Sequence, residues 1–305
     1  RRGGVTAAHR RTTSGRQRLA GLQERLEAGD DLRPALPDAR ALVVGARSYR
    51  RALDTTHDRG TTPDAGAPPG PAGRVARYAW EDHYGPLKAA LTVVARHLKA
   101  AGWRARVLAD DNALVDREAA YRAGLGWYGK NANLLLPGEG SWFVLGSVVT
   151  DAPLADGRPA AEPVPDGCGG CTRCLEGCPT SAIVAPGVVD ARRCLAWLLQ
   201  VEGPFPPEHR VALGDRLYGC DDCQEVCPPN RRLDRGRAAG QGPTPAGERA
   251  QATVDVLDLL AASDDDLMAR HGRWYIPRRQ PRYLRRNALV VLGNLGDPAD
   301  ARVAA

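Results

Sequence analysis

No stretch of this 305-residue chain approaches the roughly 18 consecutive apolar residues that a membrane-spanning helix needs. A helical integral membrane protein is thereby excluded, and no membrane partner is expected. No N-terminal segment joins a basic start to a hydrophobic stretch and a small-residue cleavage site, so the chain is expected to stay in the cytoplasm. Lysine is nearly missing: Lys88, Lys99 and Lys130 are the only three, and arginine supplies the remaining positive charge. The net charge of +6 and pI of about 9.0 therefore read first as base composition, and only weakly as the mark of a polyanionic partner. Cysteine is absent before Cys168; all eight lie between Cys168 and Cys227. So confined a set, in a reducing compartment, points to metal rather than to a disulfide-stapled module.

What is present alternates between strand and helix patterns. RQRLAGLQERLEAG reads as a short helix, Ala41-Leu42-Val43-Val44-Gly45 as a buried strand, and DRGTTPDAGAPPGPAG (58–73) as a loop. From Pro86, the spacing of Leu87, Leu91, Val94, Ala95 and Leu98 predicts a helix that Gly102 stops. WRARVLADD alternates like a strand ending at Asp110; ALVDREAAYRAG predicts a helix closed by Gly124; SWFVLGSVVT predicts another strand. The first half is thus an α/β or α+β domain. Pro- and Asp-rich residues 151–166 mark a boundary, and the run 231–252 is expected to be exposed. VDVLDLLAAS, DDDLMARHG and YLRRNALVVLGNLG close the chain as helices, the last like the opening helix of a helical repeat.

The cysteines carry the chemistry. Cys168, Cys171, Cys174 and Cys178, followed by Pro179, form C-x2-C-x2-C-x3-C-P, the run of bacterial ferredoxins. In two-cluster ferredoxins the fourth cysteine of that run ligates the other cluster. Cys220, Cys223 and Cys227 with Pro228 supply a second set, and Cys194 stands between. Eight sulfurs then sort by crossing into two [4Fe–4S] clusters, one held by Cys168, Cys171, Cys174 and Cys227, the other by Cys178, Cys194, Cys220 and Cys223. The competing reading is one cluster plus a zinc site or spare thiols. Two clusters make an electron wire, and a wire needs a redox terminus, which the first half is expected to hold.

At this point the chain resembles a known family. CGGCTRCLEGCPTSAIVAPGVVDARRC and LYGCDDCQEVCPPN look like the ferredoxin part of the tRNA epoxyqueuosine reductases. GRVARYAWEDHYGPL and GLGWYGKNANLL…GSWFVLG are similar to that family's cobalamin-binding half, and RRNALVVLGNLGDP to its helical tail. The resemblance implies an α+β protein of three parts: a nitroreductase-like cobalamin-binding domain (1–155), a two-cluster ferredoxin-like domain (156–235) and a HEAT-like tail that binds tRNA (236–305). It implies reduction of epoxyqueuosine to queuosine at the tRNA wobble position, with base-off cobalamin and two [4Fe–4S] clusters as cofactors. The anticodon stem-loop and an external low-potential electron donor are the expected partners, and a monomer the expected state. Against the family pattern, an N-terminal helix and strand are expected to be missing and the tail to end early. Cys194-Leu195-Ala196-Trp197-Leu198-Leu199 lacks two hydroxyls that many members carry, and Pro229 stands where a tryptophan is usual.

The implied proton donor is Asp110, which matches the family's aspartate upstream of G-L-G-W-x-G-K; Asp111 is its rival, and an exposed charge or helix cap is the structural alternative. To be protonated near neutral pH such an acid needs partial burial. Gly129, Lys130 and Asn131 in the glycine-rich loop, and Ser141, are expected near the corrin, though a tight strand connection explains the glycines as well. Asp221, Asp222 and Gln224 are expected to touch cofactor amides; solvated acids on a turn are the equal alternative. Arg278, Arg279, Arg282, Arg285 and Arg286, interleaved with aromatics, are expected to contact RNA. A small-molecule cobalamin reductase of dehalogenase type, and a two-cluster electron carrier, are the competing functions.

Overall fold

The structure, a computed structural model, describes residues 35–50, 70–154, 164–237 and 252–297, with 299 and 303. The helix expected at RQRLAGLQERLEAG, most of the loop 58–73 and most of the run 231–252 lie outside these residues. Two compact units emerge: one gathers residues up to 50, 82–172 and 185–189, the other 51–81, 173–184 and the chain from 190 onward.

In the first unit, three antiparallel strands form a sheet with Phe143–Thr150 in the centre, Ala41–Ser48 on one side and Ala105–Leu108 on the other. The central strand is buried over nearly its whole length, as its apolar run predicts. Helix Tyr84–Ala100 lays Leu87, Leu91, Ala95 and Leu98 on this sheet, the stripe expected of a 3.6-residue period. Its seating depends on a cross-strand pair of glycines, Gly45 opposite Gly146. A Cβ on Gly146 would stand 2.9 Å from Leu91 Cδ1, and one on Gly45 3.1 Å from Leu91 Cδ2. Leu91 therefore fills space that two absent side chains leave. The helix Asp116–Arg122 follows the third strand after a short turn.

The second unit holds the sheet Thr253–Asp255, Ala72–Val75, Arg216–Tyr218, antiparallel at the first junction and parallel at the second. Its core runs through Val75, Leu195, Leu199, Leu217, Val256, Leu259, Trp274, Leu284 and Val291. Residues on both sides of position 235 thus share one core. Helices Val256–Ala261 and Asp264–His271 start where Asp255 and Ser263 cap them, each side chain accepting a backbone N–H of its first turn. The last helix, Arg282–Leu295, buries Tyr283, Leu284, Asn287, Ala288 and Val291. Fully buried Asn287 donates through its amide to the Leu199 and Leu217 carbonyls at 3.0 and 3.2 Å, tying helix to sheet. Leu195, Leu198 and Leu199 are core residues here. Among the described residues, no helix is long and apolar enough to cross a membrane.

Candidate functional site

All eight cysteines are free of disulfide bonds. In the second unit, Cys178 leaves the short helix Arg173–Glu176, and its sulfur accepts the Ala182 N–H at 3.1 Å. That helix packs on Asp222–Glu225, the helix bearing Cys223. The contact is close because residue 177 is glycine: a Cβ there would stand 2.9 Å from a Val226 methyl. The tail of the first cysteine run is so brought against the second. Burial first, then the neighbouring sulfurs of Cys220, Cys194 and Cys178, with Asp221 among them, push the Cys223 thiol well up. Cys178, Cys194 and Cys220 all act on Cys223 electrostatically.

The acids around this set are engaged within the unit. Asp221 is buried, accepts the Arg77 N–H at 2.7 Å and takes a bond from Gln224 Nε2 at 3.2 Å. Burial raises its carboxyl to about 6, with the Arg77 N–H opposing. Asp222 pairs with Arg216 and, at 3.5 Å, with Arg74, which also reaches Asp215 and Glu225. These bonds account for Asp221, Asp222 and Gln224 by protein partners rather than by solvent.

In the first unit, Cys168 and Cys171 lie on a turn closed by the Cys171 N–H on the Cys168 carbonyl. The glycine-rich loop docks onto this turn: Lys130 Nζ donates to the Gly169 carbonyl at 2.7 Å, and Gly167 lies against the Trp127 ring. Gly126 and Gly129 are required by close packing, since a Cβ would meet the Leu135 carbonyl oxygen at 2.0 Å and Leu135 Cδ1 at 2.4 Å. Asn131 is buried, its Oδ1 accepting the Asn133 N–H, and Ser141 is buried at the entry to the central strand.

Asp110 departs from expectation. It follows buried Ala109, just past the strand Ala105–Leu108, turns into the left-handed region at φ 54°, and is exposed. The partial burial expected of it is found at Asp116 instead. The Asp116 Oδ1 is buried without a hydrogen-bond partner. Burial, then the charge of Asp110, lift Asp116 to about 7. The Tyr84 phenol faces the same pair and is raised by burial and then by the charges of Asp110 and Asp116. Asp111 caps the turn by accepting the Ala113 N–H and pairs with Arg106. Neither Asp116 nor Tyr84 was singled out from sequence.

In the tail, Arg286 is half-buried and donates to the carbonyls of Leu198, Leu199, Val201 and Gly203. Arg285 pairs with Asp264 and the Ala262 carbonyl. Arg278, Arg279 and Arg282 are exposed, as are Arg273 and Tyr275. Arg278 reaches Glu202 at 2.8 Å, and Arg278 and Arg279 both take positive φ.

Residues 167–230 match the model of a 4Fe-4S double cluster binding domain. The chain is thus of the class of proteins built around a paired iron–sulfur module. It is 36% identical over 268 residues to an epoxyqueuosine reductase of Xanthomonas campestris pv. campestris, covering 85% of this chain and 69% of the relative. Two solved structures agree at TM-score 0.72. One is an epoxyqueuosine reductase with a tRNA-Tyr epoxyqueuosine-modified stem loop (30% identity; 90% of this chain, 74% of that one). The other is the Bacillus subtilis epoxyqueuosine reductase with its aspartate catalytic loop swung out of the active site (29%; 90% and 74%). The chain belongs to the epoxyqueuosine reductase family. It spans about half the length of the first curated relatives it matches, 47% for that of Bacillus cereus.

Proposed function

We propose that this protein reduces epoxyqueuosine to queuosine in the anticodon loop of tRNA, in the cytoplasm. Electrons enter from an external low-potential donor and pass through two [4Fe–4S] clusters, the crossed sets described above. The observation that carries this reading is the company of Cys223: Cys178 from the first run, Cys220 from the second and Cys194 from between them all act on it. A reading in which each cysteine run holds its own cluster gives no reason for that company. Family membership supplies the substrate class, and the neighbour with a modified tRNA stem loop supports the RNA partner.

The terminus of the wire is a cobalamin in base-off form. The first unit has features that suit a large polar ligand: exposed Asp110, an orphaned buried oxygen on Asp116, and Gly169 and Gly170, where an added Cβ would meet nothing at φ 47° in the first case. Gly129, Lys130, Asn131 and Ser141 would hold it there, with Asp221, Asp222 and Gln224 beside the cluster. When bound, the corrin supplies low-valent cobalt, the reductant for the epoxide. Asp110 donates a proton to the departing oxygen, an acid role that typically contributes 10²–10⁴-fold. The relative whose aspartate catalytic loop swings out supports an aspartate on a movable turn. RNA contact falls to the exposed Arg273, Arg278, Arg279 and Arg282 with Tyr275, while Arg285 and Arg286 serve the fold.

Anaerobic reconstitution followed by iron, sulfide and corrin analysis, with an assay on an epoxyqueuosine-containing stem-loop, tests the reading. About eight iron atoms, bound corrin and alkene product are expected. Full clusters with no corrin would remove it. Asp110→Ala should keep both cofactors and lose turnover; unchanged turnover discards the donor role.

A further inference from the structure

The second cysteine run is held by a segment that lies far upstream of it in the chain. Strand Ala72–Val75 runs parallel to Arg216–Tyr218 with Arg74 opposite Arg216, and the residues beyond it keep pace as far as the cysteines. The Arg74, Ala76 and Arg77 N–H groups donate in turn to the Asp215 carbonyl at 2.7 Å, the Tyr218 carbonyl at 2.8 Å and the Asp221 carboxylate at 2.7 Å. Gly219 lets the two segments close, since a Cβ there would stand 2.5 Å from Ala76 Cβ.

On this frame Arg74 uses all three guanidinium nitrogens on acids around Cys220. Its Nε reaches Asp215 at 3.3 Å, and Nη1 and Nη2 reach Glu225 and Asp222, each at 3.5 Å. Buried Asp222 stands between Cys220 and Cys223 in the C-x2-C loop, and its other oxygen is taken by Arg216. Arg74, Arg216, Glu225 and Cys220 line one cavity. Two guanidiniums thus meet three carboxylates beside a cluster ligand, and Arg74 is the cation that all three share.

We infer that Arg74 is a positioning residue that sets the reduction potential of the cluster held by Cys220 and Cys223. It orients the ligand loop through Asp222, and its charge offsets acids that would otherwise oppose an incoming electron. One electron from the low-potential donor adds one negative charge beside Cys220; no bond breaks and no proton moves. Cluster potentials follow the net charge and hydrogen bonding around the sulfurs. A unit charge about 10 Å away, at an effective dielectric of about 20, changes such an equilibrium roughly tenfold, or about 59 mV for one electron. The inference rests on the two-cluster reading above but not on the crossing, because Cys220 and Cys223 share a cluster with or without it.

Redox titration of anaerobically reconstituted full-length protein, followed by electron paramagnetic resonance, tests it. Cys174→Ala removes the other cluster and leaves this one to be read alone. In that background Arg74→Gln should make reduction about tenfold harder, a fall of about 59 mV, with about four irons retained. Arg74→Lys should return most of the fall, because the charge is restored. Glu225→Gln should move the potential upward, because an opposing charge is gone. A merely structural role gives neither the rescue by charge nor the change of sign. In Cys220→Ala protein, which keeps only the other cluster, Arg74→Gln should shift the potential by less. An unmoved potential in Arg74→Gln with its irons retained overturns the inference, as does a fall in Glu225→Gln. If Arg74→Gln fails to hold iron, the sign of the Glu225→Gln shift decides. About four irons in wild type would instead sink the two-cluster reading and the inference built on it.

Discussion

Replacing Cys178 and Cys220, singly and together, tests whether the two cysteine runs exchange ligands. Cys178 closes the first run and Cys220 opens the second, 42 residues later, yet both act on the same half-buried thiol, Cys223. If they ligate one cluster, each single alanine variant should drop from about eight irons to about four. The double variant should then stay near four, because the second change strikes a cluster already lost. If each run holds its own cluster, the singles look the same but the double falls toward zero. The difference is thus about four irons per chain, far beyond the error of a colorimetric assay, and it has the form of a double-mutant cycle with complete coupling. Cys174→Ala with Cys178→Ala is the converse pair: neighbours in sequence, on different clusters, and additive. Iron and sulfide analysis of anaerobically reconstituted protein, with electron paramagnetic resonance of the reduced samples, reads the outcome. Additive loss in the Cys178/Cys220 double variant would refute the crossing.

Other consequences follow from single residues. His271 is buried, stacked on Trp274 at 4.4 Å, and held down to about 4 by burial and then by Arg270 and Arg273. It folds neutral, so its contribution is present above about pH 6.5 and is lost as pH falls toward 4, by about 3 kcal/mol at most; the melting curves of wild type and His271→Phe should converge or cross only over that window. Asn287→Ala strips the Leu217 carbonyl of its side-chain donor, leaves the Leu199 carbonyl to Arg286, and should cost about 1–3 kcal/mol in urea unfolding. Gly126→Ala sets a methyl 2.0 Å from the Leu135 carbonyl oxygen and should destabilise by about 1–3 kcal/mol or more, seen as lost hydrogen-exchange protection around residues 127–135. A wild-type-like melt for either variant contradicts the packing described.

Sequence made some of this legible and hid the rest for physical reasons. Periodicity placed the helix at Tyr84–Ala100 and the central strand, because both bury one continuous apolar surface. It missed the strand Ala72–Val75, which is four residues long and pairs with partners some 140 and 180 residues further along the chain. The cysteine spacing announced a paired cluster module by itself. Arginine density, in contrast, could not sort the tail: Arg286 answers to four backbone carbonyls inside the fold, and Arg282 to solvent and Tyr283. Charge is visible in a sequence; the partner of a charge is not.

The two aspartates follow the same rule and explain each other. An acid that must reach a substrate has to be exposed, and Asp110 is. An acid that must still carry a proton at neutral pH has to be shielded from water and placed near negative charge, and Asp116 is. One side chain cannot satisfy both demands, so a single-residue reading of the sequence asked of Asp110 a burial it does not have. The signal that would have found the second acid was present in ALVDREAAYRAG: a carboxylate opening a helix six residues after a strand-end aspartate. Its meaning required the turn between them, where the chain reverses at φ 54° and the charge of Asp110 acts on the Asp116 carboxyl. The two are coupled through that charge: removing it in Asp110→Asn should lower the midpoint at which Asp116 titrates.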